Sequence, residues 1–181
     1  MRILAGDFKY KKVNYIKNKD LRPTRSIVRK SFFDTVQGIV KNSVFLDLFA
    51  GVGSIGFEAV SRGAKEVIFV DRSYMSIDII RKNAEEFKLK SKVTIVRANG
   101  YDFINSSFMD RIDIVYIDAP YDFNINNFLK AFFEKVNKNA IVCVEHLKGK
   151  PIDSEFGNGF KNIKSRSFGK NSLDYFEVIN E

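Results

Sequence analysis

The sequence predicts a doubly wound α/β fold: a mostly parallel sheet with helices on both faces and a C-terminal antiparallel hairpin. Five short apolar runs alternate with segments of helical period, the order of parallel strands joined by crossover helices. The first run leads directly into the glycine turn Gly51-Val52-Gly53-Ser54-Ile55-Gly56. Such a turn between strand and helix is typical of a nucleotide-type cofactor site. Apolar runs at 160–166 and 173–179, joined at Gly169, predict the closing hairpin.

Before the sheet, residues 1–20 predict a hairpin with its turn near residues 7–12. Pro23 marks a loop, and Ser26 is expected to cap a helix that runs to about Lys41. The predicted strands occupy 44–49, 66–70, 92–97, 112–117 and 139–145, and the predicted helices between them occupy 54–62, 75–87 and 126–136. We therefore divide the chain into a basic arm, 1–42, packed on the same domain, and the domain itself, 43–181.

Charge is distributed unevenly along the 181 residues, whose net charge is +8. Residues 1–42 hold 11 Lys/Arg and three acids, and residues 43–181 hold 19 of each, so the whole excess lies on the arm. This asymmetry favours a polyanion such as nucleic acid over an ordinary solvated, lysine-rich surface. One Cys and one His indicate neither a disulfide framework nor a zinc site, and no apolar run is long enough for a membrane span. We expect a cytoplasmic protein that binds no metal and no membrane.

The carboxylate of Asp47 lies inside the strand that precedes the glycine turn. It would repel the two phosphates of a dinucleotide but suits a ligand with a cationic end, such as the α-ammonium of S-adenosylmethionine. Asp71 follows Gly51 by 20 residues, the spacing at which an acid meets ribose hydroxyls, although it could merely cap the next helix. Asn99 follows the third parallel strand and could meet an adenine edge or be an ordinary turn residue.

The segment Asp118-Ala119-Pro120-Tyr121 ends the fourth strand, beside the glycine turn in the predicted sheet. The exocyclic amine of a nucleobase is a poor nucleophile because its lone pair is delocalised. Two acceptors, the Asp118 carboxylate and the carbonyl next to Pro120, would hold that amine and favour its nucleophilic form. Tyr121 offers a stacking face for an unstacked base. A plain turn after a strand can have the same sequence.

These residues together resemble the Rossmann-like S-adenosylmethionine-dependent methyltransferases, and most closely the RsmD-type 16S ribosomal RNA (guanine-N2)-methyltransferases. The resemblance runs from Met1-Arg2-Ile3-Leu4-Ala5-Gly6 to Tyr175-Phe176 and includes Arg22-Pro23-Thr24, Leu46-Asp47-Leu48-Phe49-Ala50-Gly51 and Phe69-Val70-Asp71. The chain differs from the family pattern at Ser26, Ile27, Lys30 and Ala119.

The resemblance implies transfer of a methyl group from S-adenosyl-L-methionine to the N2 amine of a guanine, with the 30S subunit or its 16S RNA as partner and the protein a monomer. The implied cofactor-binding residues are Asp47, Phe49, Ala50, Gly51, Gly53, Asp71, Arg72, Asn99 and Gly100. The implied catalytic residues are Asp118, Pro120 and Tyr121, and the implied RNA contacts are Arg22, Thr24, Arg25 and Arg29.

Three alternatives remain at the level of sequence. An N-methyltransferase acting on DNA adenine or cytosine would use the same Asp118–Tyr121 segment, but 181 residues leave no room for a separate target-recognition domain. A nicotinamide-dependent oxidoreductase is disfavoured because the Asp47 carboxylate would repel the phosphates of its dinucleotide. An inactive RNA-binding assembly factor would not need the acids at 47, 71 and 118.

Overall fold

The computed structural model of the chain describes residues 1–15 and 23–178, and a seven-stranded sheet forms the centre of this described part. The strands are β1 (Val44–Leu48), β2 (Glu66–Asp71), β3 (Val93–Arg97), β4 (Ile114–Asp118), β5 (Ile141–Leu147), β6 (Phe160–Phe168) and β7 (Asn171–Val178). The helices are α1 (Ser26–Val36), α2 (Ser54–Ser61), α3 (Tyr74–Glu86), α4 (Gly100–Phe103) and α5 (Ile125–Phe133). Of the helices within the described residues, none has the length and apolarity that crossing a bilayer requires.

Strand order confirms the predicted fold class. The sheet runs β3-β2-β1-β4-β5-β7-β6, with β1 to β5 parallel. β7 pairs antiparallel with β5, and β6 antiparallel with β7. Because β1 has β2 on one side and β4 on the other, the chain reverses its direction of winding there. A ligand crevice is expected above the carboxyl ends of these strands.

The two faces of the sheet carry separate apolar cores. On one face, Phe45 of β1 packs with α1, α2 and α3, and Phe32 of α1 contacts Tyr116 with ring centroids 4.8 Å apart. On the other face, Leu46 packs with α4 and α5, including Phe128. Neighbouring strand residues thus point to opposite cores, as a sheet covered on both faces requires.

The N-terminal segment forms the predicted hairpin and packs on α2. Arg2 and Lys12 pair antiparallel, and the turn lies at 5–10, slightly earlier than predicted; residues 16–20 of the predicted hairpin fall outside the described ranges. Glu58 of α2 is buried and accepts hydrogen bonds from the backbone N–H of Leu4 (2.9 Å) and Ala5 (3.0 Å). A buried carboxylate with two amide donors ties the segment firmly to the sheet domain.

Helix α1 differs from its prediction in three ways. Its N-cap is Arg25 rather than Ser26, with no side-chain capping bond, and it ends at Val36 rather than near Lys41. Gly38, a weak helix former, follows this end. The third difference is that Arg29 is only 3% exposed and donates from Nη2 to the carbonyl of Arg2 (2.9 Å). In this structure the Arg29 guanidinium holds the N-terminal segment and is not presented at the surface, and its contact with RNA stays a prediction.

Candidate active site

The turn after β1 is built from left-handed residues. Gly51 and Gly53 have φ of +54° and +75°, and Phe49 has φ of +62°. This conformation costs a non-glycine residue about 1–2 kcal/mol, so the surrounding structure must impose it on Phe49. The Gly51 N–H donates to Oδ2 of Asp71 (2.8 Å), and a Cβ on Gly51 would meet no atom within 4 Å. The turn therefore opens onto free space next to Asp71.

Asp47 lies beneath this turn, not in the open cleft. It is 3% exposed, and its Oδ2 accepts a hydrogen bond from the N–H of Gly56 (2.8 Å). Burial raises the pKa of Asp47 to about 8; the Gly56 N–H opposes this rise and the charge of Asp71 adds to it. In the structure Asp47 thus anchors the first turn of α2 to the end of β1.

A cavity of about 490 Å³ lies at the carboxyl ends of β1, β2 and β3. Six of the predicted site residues line it: Phe49, Asp71, Arg72, Asn99, Gly100 and Pro120. Sequence reasoning missed the other polar and aromatic lining residues, which are Tyr101, Asp102, Asp122, Phe123 and Asn124. Ala50, Gly51, Gly53, Asp47, Asp118 and Tyr121 are not among the lining residues.

Aromatic rings form one wall of the cavity. The ring centroids of Phe49 and Phe123 lie 5.1 Å apart, and those of Tyr101 and Phe123 lie 6.0 Å apart. A flat aromatic ligand such as a purine suits this wall. Tyr101 comes two residues after Asn99, and Phe123 comes two residues after Tyr121, so both lie close to predicted site residues. Their positions just after β3 and β4 were the signal that could have indicated them as site residues.

The structure shows which of the side chains of Asp71 and Asn99 caps a helix. The N-cap of α3 is Ser73, so Asp71 is not the helix cap; its Oδ1 accepts from the Ser73 N–H (2.8 Å). Asn99 does cap a helix, the short α4, because its Oδ1 accepts from the N–H of Asp102 (2.9 Å). Its Nδ2 also donates to Oδ2 of Asp102 (2.5 Å). Asn99 and Asp102 therefore line the cavity as a hydrogen-bonded pair.

Asp118 ends β4 directly opposite Glu145 of β5 in the sheet register. Burial, and then the charges of Glu145 and Asp47, raise the pKa of Asp118 well above its usual range. Glu145 itself is buried and accepts hydrogen bonds from the Tyr116 hydroxyl (2.5 Å) and from Nδ2 of Asn171 (2.5 Å). Sequence reasoning missed Glu145, since only the pairing of β4 with β5 shows which residue stands beside Asp118.

The loop after Asp118 presents backbone and aromatic groups. The Pro120 carbonyl accepts from the N–H of Phe123 (2.9 Å), whereas no hydrogen bond to the Ala119 carbonyl comes from the residues that the structure describes. Tyr121 is 58% exposed, and its carbonyl accepts from Nζ of Lys150. The Ala119 carbonyl is thus the free backbone acceptor next to Asp118.

The expected RNA contacts fall in different places. The Thr24 N–H donates to Oγ of Ser54 (3.1 Å) at the start of α2, and Arg25 is exposed with Nη2 donating to the carbonyl of Phe168 (2.5 Å). Arg22 lies outside the described residues. Within the described ranges, no group of three or more His, Cys, Asp or Glu side chains has an arrangement that could hold a metal ion.

The family described as Conserved hypothetical protein 95 matches residues 1–177. The chain belongs to this family. It is 32% identical to Ribosomal RNA small subunit methyltransferase D of Haemophilus influenzae, over 84% of this chain and 81% of that protein.

Two solved structures show the same fold. The Escherichia coli protein yhhF superposes with a TM-score of 0.87 at 21% identity, covering 100% of this chain and 99% of that one. An RNA methyltransferase from Salinibacter ruber, in complex with S-adenosyl-L-homocysteine, superposes with a TM-score of 0.67 at 15% identity, over 88% of this chain and 95% of that one. The family match over residues 1–177 and the Haemophilus influenzae relative confirm the family resemblance stated from the sequence, and the solved structures show the fold.

Proposed function

We propose that this protein transfers a methyl group from S-adenosyl-L-methionine to the exocyclic N2 amine of a guanine in 16S ribosomal RNA, on assembled or assembling 30S subunits. The observation that carries the proposal is the position of Asp118-Ala119-Pro120-Tyr121 beside a nucleoside-sized cavity, at the point where the sheet reverses its winding. The relative from Haemophilus influenzae, which is named Ribosomal RNA small subunit methyltransferase D, supports the substrate class.

The residues of the cavity fit the methyl donor. Asp71 has carboxylate lone pairs left for ribose hydroxyls after accepting from Gly51 and Ser73. Phe49 and Tyr101 suit a purine face, and the Asn99–Asp102 pair offers polar atoms at its edge. The free space at Gly51 leaves room for the methionine part above Asp47. Ala50 and Gly53 would act through the backbone of the turn, and Arg72 at the cavity mouth.

When bound, the donor supplies an electrophilic methyl group on a sulfonium. The protein's part is to aim the guanine amine at that methyl group and to remove water from between them. The Asp118 carboxylate and the Ala119 carbonyl accept the two amine hydrogens, and Tyr121 stacks on the base. The new N–C bond would form as the sulfonium–methyl bond breaks, which leaves a neutral thioether, and the amine then loses one proton. Asp118, with its raised pKa, is placed to take that proton up.

The decisive experiment is a transfer assay with tritiated S-adenosylmethionine and three acceptors: naked 16S RNA, 30S subunits and DNA. Products are digested to nucleosides and separated. N2-methylguanosine from 30S or 16S material supports the proposal, and the ratio of the two identifies the preferred substrate. Label in N6-methyladenine or N4-methylcytosine of DNA would refute it and favour the DNA methyltransferase. No transfer to any acceptor, despite donor binding, would favour an inactive assembly factor.

Two variants test the assigned roles. Asp118→Asn should abolish transfer while leaving donor affinity within a few-fold, and the exposed Asp110→Asn serves as the matched control. Tyr121→Ala should lower transfer efficiency by roughly 5- to 150-fold, the equivalent of about 1–3 kcal/mol of base stacking, and Tyr121→Phe should restore it. Normal turnover by Asp118→Asn would remove Asp118 from the mechanism.

A further inference from the structure

A basic surface lies next to the Asp118–Tyr121 loop, on the side away from the cavity. Its side chains are exposed and come from the turn after β5 and from the hairpin of β6 and β7: Lys148, Lys150, Arg166 and Lys170. We call these four residues the basic rim. All four lie at the carboxyl edge of the sheet, because β7 begins beside the end of β5, where Asn171 pairs with Leu147.

Hydrogen bonds join the segments of the rim to each other and to the candidate site. The Lys148 N–H donates to the carbonyl of Lys170 (2.8 Å), which links the β5 turn to the β6–β7 hairpin. Nζ of Lys150 donates to the Tyr121 carbonyl, which links the same turn to the loop after Asp118. Arg25 binds the hairpin at the Phe168 carbonyl and extends the basic surface to the start of α1.

The charge of this surface is not neutralised locally. Residues 146–152 and 162–173 contain five Lys/Arg and no acid. The acids of the adjoining strands are buried and already engaged: Glu145 with Tyr116 and Asn171, and Asp174 with Nε2 of His146 (2.9 Å). Two acids nearby in sequence are exposed: Asp122 lines the cavity, and Asp153 lies 3.8 Å from Nζ of Lys130. None of the four rim residues forms an ion pair with any other residue that the structure describes.

We propose that the basic rim binds the phosphate backbone of the RNA strand that delivers the target base to Tyr121. This inference rests on the proposed function and extends it, because it assigns the strand's path to the β5–β7 side of the site. Tyr121 is 58% exposed, so a base stacked on it would lie at the protein surface, with its own and its neighbouring phosphates at the outer face of the loop. The rim presents fixed positive charge at that face, and such charge binds phosphates in any sequence context.

The test compares two variants of equal charge. The rim variant is Lys148→Gln/Lys150→Gln/Arg166→Gln/Lys170→Gln. The control variant is Lys90→Gln/Lys92→Gln/Lys135→Gln/Lys138→Gln, which removes four exposed charges at the opposite, amino-terminal edge of the strands. Equilibrium binding of a single-stranded 16S RNA fragment is measured for both variants and the wild type from 50 to 300 mM salt. Donor affinity and thermal unfolding are measured in parallel.

The rim variant should bind the fragment at least tenfold more weakly at low salt. The slope of log K against log salt should fall by about 3, because each of four lost phosphate contacts accounts for roughly 0.7–0.9. Donor affinity should not change, and the control variant should resemble the wild type. A triple variant that retains Lys150 keeps the hydrogen bond to the Tyr121 carbonyl. It should still show about three-quarters of the change in slope, because three of the four phosphate contacts are lost while the Tyr121 loop is unaltered.

Binding and transfer together separate the two proposals. If the rim variant binds like the wild type, or if rim and control variants lose the same affinity, the rim proposal is overturned even when N2-methylguanosine forms. If the rim variant loses binding selectively while the methylated product is another nucleoside, the rim proposal stands and the assigned target base is wrong.

Discussion

Replacement of Asp47 by Asn should change how the stability of the protein depends on pH. Burial raises the pKa of Asp47 from 3.8 in its ordinary state to about 8, so the folded protein holds this proton more tightly than the unfolded chain does. The contribution of Asp47 to the free energy of unfolding is therefore largest below pH 4, and it decreases as the pH rises toward 8. Asn carries no proton to lose, and its side-chain oxygen can still accept from Gly56.

The size of the effect follows from the two pKa values. Between pH 5 and pH 7 the free energy of unfolding of the wild type should fall, relative to Asp47→Asn, by about 1.3 kcal/mol per pH unit, or about 2.6 kcal/mol in all. Other titrating groups are present in both proteins and largely cancel in the difference. The free energy of unfolding of Asp47→Asn, relative to that of the wild type, should therefore rise steadily with pH.

Urea unfolding followed by circular dichroism at pH 5, 6 and 7 measures this difference directly. The slope against urea should be the same for both proteins, so that midpoints report stability alone. Asp110→Asn, which removes one carboxyl group at an exposed position, is the matched control for the change in charge. A difference between Asp47→Asn and the wild type that stays constant across the three pH values would refute the assignment of a buried, protonated Asp47.

Three further predictions concern packing and the site. Gly56→Ala should destabilise the protein by about 1–3 kcal/mol in the same unfolding assay, because the added Cβ would lie 2.2 Å from the Phe69 ring; wild-type stability would contradict the close contact of α2 with β2. Phe32→Ala should cost about 3–5 kcal/mol, since this ring is fully buried between α1 and the sheet, and a loss below 1 kcal/mol would mean that the core closes around the gap. Glu145→Gln should lower the pKa of Asp118 and move the acidic limb of the kcat/KM profile for methyl transfer to lower pH; an unmoved limb would show that the two carboxyl groups do not interact.

The sheet and its glycine turn could be predicted because their signals are local. Apolar runs bounded by Gly, Asp and Asn predict short buried strands, and the strand–turn–helix around Gly51 has a recognisable spacing. The bounds of β1 to β5 agree with prediction to within about two residues. The exposed or buried state of Arg29 was not predictable in this way, because it depends on the carbonyl of Arg2, which is distant in sequence.

Features that arise from strand pairing were also missed. Glu145 faces Asp118 only through the register of β4 and β5. The basic rim was hidden by counting charge over residues 43–181, which sum to zero although the acids and bases lie on different surfaces. Net charge along a chain predicts a binding surface only where the charged residues are also neighbours in space.

The insertion of β7 between β5 and β6 sets the order in which the molecule can be completed during synthesis. The first five strands can pair as soon as they emerge, but β5 then remains an open edge until β7 arrives. Until β7 is made, Glu145 and His146 lack their hydrogen-bond partners Asn171 and Asp174. Until the end of β6 is made, Arg25 lacks the Phe168 carbonyl that accepts its hydrogen bond. A chain interrupted before about residue 170 would lack β7, which leaves the edge of β5 unpaired and the buried Glu145 carboxylate without its Asn171 donor. The last strands to be made therefore close the sheet edge and complete the hydrogen bonds of Glu145 and His146, and an unpaired strand edge is a template for aggregation.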